Sequence, residues 1–303
     1  MGVPAEALGL STGKGRYELG MGWLRDLPDM RDYTLRTAEV ADLLGPLKLL
    51  NVAPSVLPAS ADLRKWCPAV ESQGALGSCT ANAGVGLLEY FEKKVSGKWI
   101  DASRLFLYKT TRKLMGVTGD TGSHIRTTMG AMRLFGVPPE AYWPYDVAKF
   151  DAEPRAFCYS FGENCKAMKY YRLDLPGTLP QSLLMSIKTN LAAGLPLAFG
   201  FTVYSSISDA ATSGKIPYPA NGEKTIGGHA VDAVGYNDNI RIRNNSSGKE
   251  TIGAMLIRNS WGDKWGMTGY GWLPYDYVLR GLATDWWTMV TAEWVDTGEF
   301  GIS

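Results

Sequence analysis

Apolar residues recur at helical spacing through the first half of the chain and gather into short runs in the second. Ala83, Leu87, Tyr90 and the aliphatic stem of Lys94 fall on one face and predict a helix that begins at Cys79 and is stopped by Gly97. Gly84 and Gly86 lie inside it, and each costs about 1 kcal/mol relative to alanine. Tolerating that cost predicts close approach of another backbone and a central helix. Further helices are predicted at 103–112 (Leu105, Phe106, Tyr108), 125–135 (Ile125, Met129, Met132) and 180–193, and a short one within 36–51. The second half reads as strands at 197–203, 230–236, 254–259, 270–272 and 288–295, separated by Gly, Asn and Ser clusters. Residues 1–22 have little periodicity and read as a loose arm; in 22–33, Pro, Gly and alternating charge forbid a long helix. A helical half followed by a β half predicts an α+β fold of two lobes with a cleft between them.

Composition narrows the function classes. The 303 residues are 45% hydrophobic and 20% charged, with a net charge of +1. That balance offers no electrostatic case for nucleic acid or an anionic membrane surface, so neither is expected as a partner. No apolar run approaches the ~18 residues of a membrane span. No signal peptide is visible in the first 20 residues, which leaves localisation open. Of the four cysteines, Cys158 and Cys165 flank a turn; an oxidising compartment would pair them, and two free thiols is the other reading. With two histidines and no Cys-x-x-Cys, a Cys/His zinc site is not expected, and no metal or cofactor is predicted.

The chemistry begins at Cys79. A glycine-broken loop, Gln73-Gly-Ala-Leu-Gly-Ser-Cys79, delivers this thiol to a helix N-terminus, where unpaired N–H groups favour thiolate. A base is offered by His229, which opens a strand in Gly227-Gly-His-Ala-Val. Asn259 offers an amide oxygen to accept the imidazole Nδ1–H, and Trp261 a cover for that bond. Taken singly, each has a structural reading: a satisfied core histidine, and a Trp/Gly-rich turn.

The set Gln73-Gly-x-x-Gly-Ser-Cys79, Gly228-His229-Ala-Val and Asn259-Ser-Trp-Gly-x-x-Trp-Gly266 resembles the papain-like cysteine peptidases, in the style of their bacterial branch, over roughly residues 56–303. The resemblance implies a two-lobed fold with a helical left lobe, at about 66–170, and an antiparallel β-barrel right lobe, at about 171–303. It implies Cys79 as nucleophile, His229 as base and later acid, Asn259 as its orienting partner, and Gln73 as oxyanion donor beside the Cys79 N–H. The resting pair in such sites is thiolate–imidazolium. Trp261 shields the Asn–His bond; Gly122 and Ser123 match the wall that pairs with an extended substrate, and His124 falls near the pocket for the second residue before the scissile bond. Three departures stand out. Leu76 occupies the place of a disulfide cysteine, Thr80 that of a tryptophan, and Gly228 that of an acidic residue.

The activity this implies is endopeptidase cleavage through a Cys79 thioester. Residues 1–55 read as a strap or pro-like segment, either packed structurally by Trp23 and Leu27 or lying in the cleft as an inhibitor. Alternatives are a latent papain-fold binding protein with a permanently filled cleft, and a transpeptidase, deamidase or isopeptidase using the same site. The expected partners are a protein or peptide substrate and the chain's own N-terminal segment, with the protein a monomer. Pocket residues are expected near Gly200, Ala230 and 282–287, where Asp285 at the floor would favour basic side chains.

Overall fold

Helices fill the first half as the periodicity predicts, and their ends follow the local signals. The computed structural model describes residues 8–12, 15–50, 52–165 and 168–301, with backbone alone for 8–18 and 162–165. After a hairpin of β1 (Leu8–Thr12) and β2 (Gly15–Leu19) come α1 (Ala38–Leu44), β3 (Ser60–Asp62), α2 (Cys79–Ser96), α3 (Arg104–Met115) and α4 (Ile125–Phe135). Gly97 ends α2 at φ 72°, donating its N–H to the Lys93 carbonyl. Ser103 caps α3 by accepting from Phe106 N at 3.1 Å.

The second half carries β4 (Lys169–Arg172), α5 (Pro180–Ala192), β5 (Leu197–Tyr204), α6 (Ala210–Ser213), β6 (Thr225–Arg243), β7 (Glu250–Arg258), β8 (Tyr270–Pro274), α7 (Asp276–Leu279), β9 (Ala283–Val290) and α8 (Ala292–Asp296). The strands form one antiparallel sheet ordered β4-β9-β5-β6-β7-β8, with β3 added beside β6. The fold is α+β, of the papain type.

Several expectations are corrected. The loose arm contains a hairpin, and its continuation is buried, because backbone pairing needs no apolar periodicity. His229 lies inside a 19-residue strand rather than at its start. The strand expected at 288–295 ends at Val290, because the Thr291 side chain accepts from Trp294 N at 3.2 Å and starts α8. Leu27 is exposed and does not fasten the strap, whereas Trp23 is buried. Cys158 is buried, and the pairing with Cys165 weighed from sequence lies outside the described side chains.

Helix α2 is central, as its glycines predict, and buried from Cys79 to Phe91. What approaches those glycines is side chain, not backbone. A Cβ on Gly84 would lie 3.0–3.2 Å from Met132, Thr128 and Leu107. One on Gly86 would lie 2.5 Å from Asp232 Oδ2 and 2.6 Å from Arg258 Nη1. Gly86 therefore makes room for the buried Asp232 carboxyl of β6 and the Arg258 guanidinium of β7, and α2 packs against β6.

Candidate active site

Sheet register gathers the site. The β6–β7 pairing of Asp232 with Arg258, continued past the end of β7, brings Asn259 and Trp261 toward His229. Asn259 Oδ1 lies 2.8 Å from His229 Nε2, and the Trp261 ring stacks on the imidazole at 4.4 Å and 16°. The sequence reading put Asn259 on Nδ1; the bond falls on Nε2 instead. Nδ1 is buried with no hydrogen-bond partner. It is the nitrogen left over for exchanging a proton with a thiol.

Cys79 opens α2, fully buried, and the backbone groups of Ala230, Gly22 and Thr80 pull its thiol toward the thiolate. Ala230 follows His229, so thiol and imidazole belong to one site. Gln73 is fixed at both ends: its N–H donates to Ser260 O at 2.8 Å, and its Oε1 accepts from Ser260 Oγ at 2.5 Å. This turns Nε2 toward the Leu76 carbonyl at 2.8 Å and the Gly20 carbonyl at 3.0 Å.

Gly20 belongs to the N-terminal segment, and that segment crosses the site. Trp261 Nε1 also donates to the Gly20 carbonyl, at 3.3 Å. Gly22 O accepts from Ser123 N at 2.8 Å, Trp23 N donates to Gly228 O at 3.2 Å, and Leu24 N donates to Ser123 O at 3.0 Å. His124 Nδ1 lies 3.0 Å from Leu24 O. All the residues proposed from sequence to line the cleft are therefore present along one path, and the chain's own backbone lies against them. The fit is tight: a Cβ on Gly22 would lie 1.9 Å from the Gly77 carbonyl oxygen, and one on Gly122 would lie 2.3 Å from Gly22 O. The Gly22 backbone is also among the groups that act on the Cys79 thiol, favouring its thiolate.

The Trp23 indole fills a pocket walled by Gly200 and Gly228, where any Cβ would strike it. At the floor, Asp285 Oδ2 accepts from Trp23 Nε1 at 3.0 Å and Oδ1 from Trp287 Nε1 at 2.7 Å. Arg172 Nη1 lies 3.3 Å from the same carboxylate. Asp285 sits at φ 65°, held there by its own N–H and that of Trp286 on the Asp174 carboxylate. Burial pushes Asp285 up to about 6, against the pull of Arg172. The sequence reading had this acid favouring basic side chains if it lay at the floor; it does lie there, facing Arg172, a guanidinium that it shares with Asp174 and Asp32.

Beyond the pocket, Arg126 of α4 grips the strap. It donates to Asp32 Oδ1 and Oδ2 and to Leu27 O, each at 2.7 Å, and pairs with Asp26. Arg172 donates to Asp26 O at 2.9 Å.

Burial dominates the electrostatics of this covered site. It pushes the Cys79 thiol up to about 11, against the backbone groups that favour its thiolate. It pushes His229 down to about 4, against the Asn259 bond. Both shifts favour the neutral pair, unlike the thiolate–imidazolium expected from the resemblance. The reason is that neither group is in contact with water.

As for metal, the described residues group Glu71, Asp101 and Glu140 closely, but Arg104 Nη2 already ion-pairs with Glu71 at 2.8 Å and Glu140 at 2.9 Å. Sequence reading missed Ser260 as the group aiming Gln73, although it lies inside the Asn259-Ser-Trp motif. It also missed Gly20 and Gly22, whose signal was their alternation in Gly20-Met-Gly22.

A helix-borne thiol, an imidazole oriented by an amide, and a wall for extended backbone define a cysteine-type peptidase, a hydrolase of peptide bonds. The chain belongs to the papain family: the model described as papain family cysteine protease matches residues 57–284. It is 34% identical over 277 residues to an uncharacterized peptidase C1-like protein, L477, of Acanthamoeba polyphaga mimivirus, spanning 88% of this chain and 85% of that protein. It is similar to the crystal structure of xylellain, a cysteine protease from Xylella fastidiosa, with a TM-score of 0.71 and 32% identity over 93% of this chain and 99% of the other. Cathepsin S of Bos taurus is 28% identical over 277 residues, 86% of this chain and 73% of its own length.

Proposed function

We propose that this chain is an endopeptidase acting through a Cys79 thioester, and that its own N-terminal strap, within residues 1–55, holds the peptidase domain at 56–303 latent. The observation that carries this reading is the Gly20–Trp23 backbone lying across Cys79, with the Gly20 carbonyl on Gln73 Nε2.

In the uncovered site, His229 Nδ1 takes the proton of Cys79, and the sulfur attacks the substrate carbonyl carbon. The carbonyl π electrons move to oxygen, and that oxyanion receives hydrogen bonds from Gln73 Nε2 and the Cys79 N–H. As it collapses, the C–N bond breaks and His229 returns its proton to the leaving amine. Water, deprotonated by His229, then attacks the thioester, expelling the thiolate and releasing a carboxylic acid. Asn259 holds the ring through Nε2, so Nδ1 stays on the sulfur side, and Trp261 keeps water from that bond. Ser123, Gly122 and Gly228 align the substrate backbone, and His124 lines the outer edge. With Asp285 at its floor accepting the Trp23 indole N–H, the pocket takes a large aromatic side chain with a polar edge.

In this reading the strap inhibits because its Gly20 carbonyl already holds the Gln73 Nε2 amide that a substrate oxyanion would use. Releasing its grip should open the site. Arg126→Ala removes the bonds to Asp26, Leu27 and Asp32, and labelling of Cys79 by a thiol-directed epoxide is expected to rise severalfold. An unchanged rate would show that the grip does not govern access. In a chain opened by Gly22→Ala, Gln73→Ala is expected to lower kcat by about 10²–10³-fold, the usual effect of a lost oxyanion donor. Steady-state kinetics on a peptide substrate measure this, and a near-parental kcat would leave Gln73 only a structural role.

A further inference from the structure

Both flanks of Cys79 are tied to the wall segment 120–123 by groups that take no part in proton transfer. On one side, Gly77 N donates to both carboxylate oxygens of Asp120, at 3.0 and 3.1 Å. The Tyr108 hydroxyl donates to Asp120 Oδ1 at 2.5 Å and accepts from Gly122 N at 3.0 Å. On the other side, Thr80 Oγ1 and Ser123 Oγ share a hydrogen bond of 2.5 Å, and Thr128 Oγ1 donates to Thr80 Oγ1 at 3.1 Å.

These ties replace nothing covalent, because Cys67 and Cys79 are free and position 76 is a buried leucine. Gly77 has no space for a side chain: its Cβ would lie 2.9 Å from Asp120 Oδ1 and 3.4 Å from the Tyr108 hydroxyl. Tyr108 is fully buried, with the Arg112 guanidinium 4.2 Å from its ring centre. Burial and the Asp120 charge push its hydroxyl well above the usual phenol range, so it remains a donor. A loop N–H just before a helix has no intrahelical acceptor. Here a carboxylate supplies one, and charge-assisted bonds of this kind are the stronger and more directional ones.

We propose that Asp120 and Tyr108 are positioning residues that lock the Gly77–Cys79 loop to the Gly122–Ser123 wall, so that nucleophile and substrate backbone share one frame. The proposal rests on the reading of Cys79 as nucleophile. Asp120 serves the Gly77 side directly, and Tyr108 passes its hold to Gly122. Thr80 closes the frame from the other side of Cys79.

The test uses the full chain carrying Gly22→Ala for kinetics and the unmodified full chain for amide hydrogen exchange. Asp120→Ala is expected to lower kcat/KM on a peptide about thirtyfold, as for a buried donor left without its acceptor, and to speed exchange at both Gly77 and Gly122. Asp120→Asn keeps one acceptor oxygen for Gly77 and is expected to recover kcat/KM to within about threefold of the parent. Tyr108→Phe frees only the Gly122 N–H and is expected to raise KM while leaving kcat near the parent. The proposal is overturned by kcat/KM unchanged in Asp120→Ala, by a loss that Asp120→Asn does not recover, or by Gly122 exchange that ignores Asp120. Cys79→Ala in the same background separates the two claims. If turnover survives it, the site reading falls; the exchange data, which need no turnover, then decide the tether by themselves.

Discussion

Gly22→Ala is expected to switch the chain on, raising peptide turnover tenfold or more over the unmodified protein. The added methyl would lie 1.9 Å from the Gly77 carbonyl oxygen, and neither backbone can yield without losing its bonds to the wall. Overpacking of this kind costs about 1–3 kcal/mol, and each 1.4 kcal/mol moves the closed–open equilibrium about tenfold. The methyl touches only the closed state, so the open enzyme itself is unaltered. Continuous hydrolysis of a fluorogenic peptide reads the effect. A permanently filled, non-catalytic cleft would show no turnover in either protein.

Cys79→Ala in that opened chain is expected to lower turnover by at least about 10⁴-fold, because no other nucleophile among the described residues stands beside His229 to form the acyl intermediate. The pH dependence of alkylation adds a finer check. Under the strap, burial holds Cys79 near 11 and His229 near 4, so at neutral pH the pair is uncharged. Opening readmits water, which lowers the thiol and raises the imidazole toward their free values, and each charged partner then favours the other. At any given neutral pH more thiolate is present in the open chain. The iodoacetamide rate profile of Gly22→Ala should therefore lie at lower pH than that of the unmodified chain. A profile at the same or higher pH would contradict the role given to burial.

The side chains proposed to react were legible because their chemistry is carried by residue type. A glycine-broken loop before a helix, a histidine after two glycines and an Asn-Ser-Trp run survive without knowledge of the fold. Which imidazole nitrogen meets Asn259 was not legible, because ring orientation follows from the register of β6 on β7. A strap over residues 1–55 was legible as one of two readings, but how it holds was not. Its hold on the cleft is made by backbone N–H and C=O groups and by the absence of side chains at Gly20 and Gly22, and neither leaves an apolar period. The setting of Asp285 was not legible for a related reason. Its partner Arg172 lies on a strand far away in sequence, and only the pairing of β4 with β9 sets the charges side by side. The helices were read nearly to the residue where a glycine or a side-chain cap ends them. β6 was read short because polar positions at its ends still belong to the ladder, whereas β9, which starts at Ala283, was placed too late.

The most direct measurement is the rate and position of labelling by a thiol-directed epoxide, followed by intact mass and peptide mapping, in the unmodified chain and in Gly22→Ala. The account predicts a single adduct, on Cys79, forming at least about ten times faster in Gly22→Ala and absent when Cys79 is alanine. Equal rates in the two proteins, or an adduct carried by Cys67 or Cys158 instead, would contradict it.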